Sequence, residues 1–92
     1  MSKVTQDVEI TPAQCRAARA LLNWSQDQLE AAAKVARKTI VDFEREARRP
    51  YDRTLAAIRA ALEAGGVEFI EENGGGPGVR LRKAGSSAPR PS

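Results

Sequence analysis

The most informative part of this sequence is residues 24–50, WSQDQLEAAAKVARKTIVDFEREARRP. Its apolar residues recur at alternating intervals of four and three positions, which is the spacing of one face of an amphipathic helix. That face comprises Leu29, Ala33, Ala36, Ile40, Phe43 and Ala47. Because residues 25–49 contain neither glycine nor proline, the spacing fits one continuous helix as well as two shorter ones.

A break at residues 34–36 would divide this stretch into two helices. Ser25 and Gln28 form a capping box that begins the first helix. A hydrophobic staple of Val35 and Ile40 would surround the start of the second helix. A break predicts a helix-turn-helix, whereas a continuous helix predicts a helical interaction module that does not bind DNA.

Similar local signals predict one helix on either side of this stretch. Thr11 and Gln14 form a capping box that begins a helix at Pro12. Asp52 is expected to cap a last helix, which Gly65-Gly66 ends. The predicted fold is therefore mainly helical, with four helices.

The rest of the chain is predicted to form flexible ends and a hairpin. Alternating apolar and polar residues predict strands at 67–70 and 79–82, joined by a glycine-rich turn. The apolar face of this hairpin needs a cover, either from a second copy or from the last helix of the same chain. The expected organisation is a flexible arm over 1–10, a helix-turn-helix domain over 11–66, a dimerisation hairpin over 67–83 and a disordered tail over 84–92.

The composition argues against chemistry. The chain has 92 residues, enough for one domain, and a net charge of +3. It has no histidine and only one cysteine, Cys15, so we expect no metal site, no cofactor, no catalytic residues and no enzyme. No apolar run reaches the roughly 20 residues of a membrane span, and the N-terminus has no signal-peptide pattern. We therefore expect a cytoplasmic protein with Cys15 buried as a small apolar residue.

Residues 20–57 resemble the lambda-repressor-like (Xre/Cro-type) helix-turn-helix family. The resemblance rests on Trp-Ser-Gln at 24–26, Arg-Lys-Thr-Ile at 37–40, Phe-Glu at 43–44 and Arg-Arg-Pro at 48–50. It implies a four-helix lambda-repressor-like domain, here with a short C-terminal β-hairpin, and a transcriptional regulator whose recognition helix, about residues 37–45, enters the major groove of DNA. A DNA-binding antitoxin, with a cognate toxin as its protein partner, is the alternative within the same fold.

Four positions depart from the pattern of this family. Glu30 replaces a small residue that packs against the next helix, and Lys34 replaces the glycine of the turn. Ala36 replaces a capping Ser or Thr, and Glu46 replaces the glycine that ends the recognition helix. A left-handed Lys34 costs about 1–2 kcal/mol, and the missing cap costs about 1 kcal/mol. These changes weaken the turn but leave the groove-facing residues in place.

The candidate DNA contacts are polar side chains at the start of the recognition helix and basic ones beyond it. Base contacts are expected from Arg37, Lys38, Thr39 and Asp42, and phosphate contacts from Gln26, Arg45, Arg48 and Arg49. The first turn enters the groove, and arginine pairs with guanine through two hydrogen bonds. Cations at a helix N-terminus oppose the helix dipole, so a bound phosphate or base is expected to compensate them. The expected partners are double-stranded DNA and a second copy of the chain.

Overall fold

The computed structural model describes residues 9–71 and 74–82. The elements in chain order are α1 (Pro12–Leu22), α2 (Gln26–Ala33), α3 (Arg37–Glu44), α4 (Asp52–Ala64), β1 (Val67–Ile70) and β2 (Gly78–Leu81). The two strands pair in an antiparallel hairpin. The predicted fold of four helices followed by a β-hairpin is therefore confirmed. Residues 1–8 of the expected arm and the expected tail at 84–92 lie outside the described residues.

The first two helices begin at the predicted capping boxes. Thr11 Oγ1 accepts a hydrogen bond from the Gln14 amide at 3.0 Å, and Gln14 Oε1 accepts one from the Thr11 amide at 2.9 Å. Ser25 and Gln28 exchange the same two bonds at 3.0 and 2.7 Å. These side chains satisfy main-chain N–H groups that have no partner inside the helix.

A continuous helix over residues 25–49 is the alternative that the structure contradicts. The chain leaves α2 at Lys34, which is left-handed with φ 59° and ψ 43°, and becomes helical again at Arg37. Helix α3 ends at Glu44, before the Arg-Arg-Pro sequence, and Glu46 adopts a φ of 65°. Ala47 lies beyond this end and is exposed, although the spacing placed it on the inner face. The break between the two helices is confirmed.

The expected cap of the last helix is wrong by one residue. Tyr51 occupies the N-cap position of α4 without a side-chain bond, and Asp52 is the first helical residue. The Asp52 carboxylate instead lies 3.1 Å from Arg49 Nη2. A carboxylate in the first turn also interacts favourably with the helix dipole.

The core lies between the four helices and β1. Its fully buried side chains are Leu29, Ile40, Leu55, Ile58, Leu62, Val67 and Cys15, so the expected burial of Cys15 is confirmed. Trp24 is partly buried and packs against this core. Ile10 is only 5% exposed, and Glu9 forms an ion pair with Arg49. Residues 9 and 10 therefore belong to the folded domain rather than to the expected flexible arm.

The hairpin packs against α1 and α4 of its own chain. Val67 is fully buried, and Phe69 and Val79 pack against the core. Gln14 is 7% exposed, and its Nε2 donates to the carbonyls of Gly78 at 2.9 Å and Ile70 at 3.3 Å. Helices of the same chain therefore cover most of the apolar face of the hairpin. A second copy, which was the other candidate, is not needed for that cover.

Candidate nucleic-acid interface

Residues 34–36 connect α2 to α3 and fix where α3 begins. The Lys34 amide donates to the Glu30 carbonyl at 2.8 Å and ends α2. Ala36 has a non-helical backbone, with φ −55° and ψ 138°, and makes no side-chain cap. Its carbonyl accepts from the amides of Thr39 and Ile40 at 3.0 and 3.2 Å. The turn therefore forms without the glycine and the capping hydroxyl of the family pattern.

Acidic side chains of α2 surround the first residue of α3. Glu30 Oε2 accepts a hydrogen bond from the Arg37 amide at 3.3 Å. Asp27 Oδ1 lies 3.0 Å from Arg37 Nε. Lys38 Nζ pairs with Asp42 Oδ2 at 3.1 Å. The chain's own carboxylates thus offset the unfavourable placement of cations at this helix start, so the dipole argument alone does not require a bound phosphate or base.

Three of the four residues expected to contact bases share one surface of α3. The side chains of Arg37 and Lys38 are 56% and 83% exposed, while that of Asp42 is 20% exposed. Lys38, Thr39 and Asp42 line a shallow depression together with Arg48. The structure therefore brings three expected base contacts and one expected phosphate contact to a single depression, with Arg37 at the start of the same helix.

A second groove adjoins this depression and is lined by basic residues. Lys34, Arg48 and Arg49 bring three positive charges to it, which suits a polyanion. Tyr51 lies on its wall and is 80% exposed. Sequence reasoning did not single out Lys34 or Tyr51 as groove residues, and the only available signal was their closeness to residues 36 and 48–49.

The basic residues expected to contact phosphates differ in what holds them. Arg45 and Arg48 are exposed beyond the end of α3. Arg49 is held by Asp52 and Glu9. The hydrogen bond with Asp52 and the charge of Glu9 raise the pKa of Arg49. A phosphate that bound Arg49 would compete with these carboxylates.

Glu44 is the buried centre of a network that fixes α3 against α1 and α2. It is 4% exposed. Arg19 donates to it through Nε at 2.8 Å and Nη2 at 2.7 Å, and Cys15 Sγ and Gln26 Nε2 donate at 3.1 Å each. Arg16 Nη1 donates to its main-chain carbonyl. The side-chain amide of Gln26 has two N–H donors, and one of them bonds to Glu44. The second remains available for the expected phosphate contact.

The network keeps Glu44 ionised despite its burial. Burial raises the pKa of Glu44, but the hydrogen bonds from Arg19, Cys15 and Gln26 outweigh it and hold the pKa below its usual range. The bond with Glu44 raises the pKa of Arg19. Burial, together with the neighbouring carboxylate, raises the pKa of the Cys15 thiol. The thiol is therefore a protonated donor within the network and not a nucleophile.

Helix α2, the turn at 34–36 and helix α3 together define a helix-turn-helix domain. A model of the helix-turn-helix family matches residues 16–69, which is more than half of the chain. The chain therefore belongs to the helix-turn-helix family, and its resemblance to the lambda-repressor-like (Xre-type) members is confirmed. No curated protein matches the chain.

Membership of this family makes the chain a DNA-binding regulatory domain of a kind that is typically non-enzymatic. Over the ranges 9–71 and 74–82, no helix has the length and apolar content needed to cross a membrane. The antitoxin role and the toxin partner remain predictions.

Proposed function

We propose that this chain is a transcriptional regulator that binds double-stranded DNA at specific sequences, with α3 as the recognition helix in the major groove. The observation that carries the proposal is the break at residues 34–36, which makes α3 a separate helix that begins at Arg37. Helix-turn-helix proteins direct the N-terminal residues of the second helix at base edges. The interaction module that does not bind DNA loses its basis, since it needed a continuous helix.

The proposed base contacts follow from the donors and acceptors that each side chain carries. Arg37 presents a fork of N–H donors that matches the two major-groove acceptors of guanine. Thr39 can donate, accept or contact a thymine methyl, and Asp42 can accept from the amino group of cytosine. Lys38, 83% exposed, reaches a base acceptor or a phosphate at the groove edge.

The proposed phosphate contacts flank the recognition helix on both sides. Gln26 begins α2, where unpaired main-chain N–H groups favour an anion. Arg45, Arg48 and Arg49 follow the end of α3 and would contact the backbone beyond the groove. Such contacts position the protein without reading sequence.

A homodimer is part of the same proposal, because two domains related by a two-fold axis double the contacts of a single helix. The outer edge of β2 supports it. The Arg82 amide donates to the Gly66 carbonyl at 2.7 Å, and hydrogen-bonded pairs alternate along an antiparallel ladder. The main-chain groups of Val79 and Leu81 therefore point away from β1, toward a position where the strand of a second copy would pair. Leu81 is 50% exposed at this edge.

Selection from a random library of duplex DNA tests the proposal with the full chain. We expect the recovered sequences to share a motif of two inverted half-sites about 34 Å apart, or a multiple of that spacing. A DNA partner is compatible with the cytoplasmic location that the sequence predicts. A bound pool that stays random would contradict sequence specificity, and an absence of binding at low salt would contradict DNA binding itself.

A further inference from the structure

Asp27, on the exposed side of α2, is paired with the first residue of the recognition helix. We propose that Asp27 is a specificity-determining residue, which holds the Arg37 guanidinium so that its terminal nitrogens face guanine. This inference rests on the proposed function. Among the ion pairs of the described residues, Asp27–Arg37 is the one that joins α2 to α3.

The atoms used by the pair leave the guanine-reading edge of Arg37 open. Asp27 Oδ1 approaches Nε at 3.0 Å. The terminal nitrogens, Nη1 and Nη2, donate no hydrogen bond to residues 9–71 and 74–82. Guanine presents two acceptors, N7 and O6, to such a pair of donors. A carboxylate on the Nε side therefore leaves the end-on fork available and restricts its rotation.

Helix α2 holds both the main chain and the side chain of Arg37. Glu30 accepts from the Arg37 amide at 3.3 Å, while Asp27 pairs with the guanidinium. Lys38 is held differently, since its partner Asp42 lies on the same helix four residues on and an ammonium has no fork. Only Arg37 among the expected base-contacting cations is thus positioned by a neighbouring helix.

The charge of Asp27, like its position, should favour specific over non-specific DNA binding. Its side chain is 77% exposed and pairs with Arg37, so it lies beside the proposed guanine contact. A carboxylate there repels phosphates, and it competes with them for Arg37 when no guanine is present. Both effects disfavour non-specific binding relative to binding at a site with guanine opposite Arg37.

The test measures base preference for four proteins: the natural chain, Asp27→Asn, Arg37→Ala and the double variant. After site selection with the natural chain, each base is tried at the position whose preference Arg37→Ala lowers most. We expect guanine to be preferred there and Asp27→Asn to reduce that preference about two- to fivefold, the range of a surface ion pair. Binding to random duplex should become tighter, and Asp27→Asn should leave the preference of Arg37→Ala unchanged.

Asp52→Asn is the matched control, because it also removes an exposed carboxylate that pairs with an arginine. It should tighten binding to all sequences alike and keep the guanine preference. The inference is overturned if Asp27→Asn keeps the full preference, if it lowers preference equally without Arg37, or if the position favours another base. A natural chain that selects no motif overturns the proposed function itself, whereas an unchanged guanine preference in Asp27→Asn overturns only the role of Asp27.

Discussion

The Glu30 carboxylate lies 3.3 Å from the main-chain nitrogen of Arg37 and accepts its hydrogen bond. Glu30 therefore supplies, from the preceding helix, an acceptor at the start of α3, where Ala36 has no capping side chain. Two departures from the family pattern, at positions 30 and 36, compensate each other in this way. A carboxylate beside a helix N-terminus is also favoured by the helix dipole.

This compensation predicts how substitutions at the two positions combine. Glu30→Ala should lower the free energy of unfolding by about 0.5–1 kcal/mol. Ala36→Ser should raise it by about as much, since serine would bond to another N–H of the first turn. The double variant should be close to the natural chain in urea unfolding. Glu30→Gln keeps the acceptor without the charge, so it should fall between. A Glu30→Ala variant as stable as the natural chain would contradict the compensation.

The left-handed backbone of Lys34 makes the turn between α2 and α3 less stable than it would be with glycine at this position. With φ 59°, Lys34→Gly should raise the free energy of unfolding by about 1 kcal/mol, because glycine has no Cβ to clash, although its extra unfolded-state entropy offsets part of the gain. Asn23→Gly is the matched control, since Asn23 has φ 63° and asparagine tolerates this region. Thermal unfolding of both variants should show the larger gain at Lys34, and an equal gain at Asn23 would refute the strain.

Glu44 predicts a pH-dependent contribution to stability. Its pKa is lowered in the folded chain, so the stabilisation is complete above the unfolded pKa of about 4.3 and is lost as the pH falls through the folded pKa. At pH 7, Glu44→Gln should cost about 2–3 kcal/mol, because it leaves the charge of Arg19 without its partner. The difference from the natural chain should shrink below about pH 4.

Glu68→Gln provides the control for Glu44→Gln. Glu68 pairs with Arg80 at 2.8 Å, but both side chains are substantially exposed, and exposed pairs contribute little. Its variant should stay within about 0.5 kcal/mol of the natural chain at pH 7. A difference for Glu44→Gln that stays constant between pH 7 and pH 3 would show that the carboxylate charge is not what stabilises the network.

Local signals made the starts of α1 and α2 predictable, whereas the break after α2 and the contacts that support the site were not predictable. The boxes at Thr11 and Ser25 depend on residues three positions away, so the sequence contains the whole interaction. The spacing through residues 34–36 is the same for one helix or two, and periodicity therefore could not choose between them. Glu44 is bonded to groups that lie 18 to 29 positions away in the chain, which no local pattern reveals.

The proposed base and phosphate contacts should respond differently to alanine. Arg37→Ala should weaken specific binding by about 1–3 kcal/mol and relax the preference at one base position. Arg49→Ala should weaken binding to all sequences alike and reduce the slope of log affinity against log salt by about one unit. Affinities for a selected site and for random duplex, measured across salt concentrations, separate the two. Equal loss on both DNAs for Arg37→Ala would make Arg37 a phosphate contact.

A substitution at the outer edge of β2 tests the proposed homodimer better than removal of the whole hairpin would. Val67 is fully buried, so removing the hairpin would damage the core along with any interface. Leu81 is 50% exposed in the single chain, and Leu81→Glu should therefore leave the domain folded. A charged side chain on an edge strand discourages pairing with a second strand, so Leu81→Glu should oppose association. Sedimentation should show the natural chain as a dimer and Leu81→Glu as a monomer.

The Leu81→Glu variant should bind a palindromic site more weakly but a single half-site equally well. Leu21→Glu, at another exposed leucine, should remain dimeric. A monomeric natural chain, or a Leu81→Glu variant that remains a dimer, would exclude this edge as the interface.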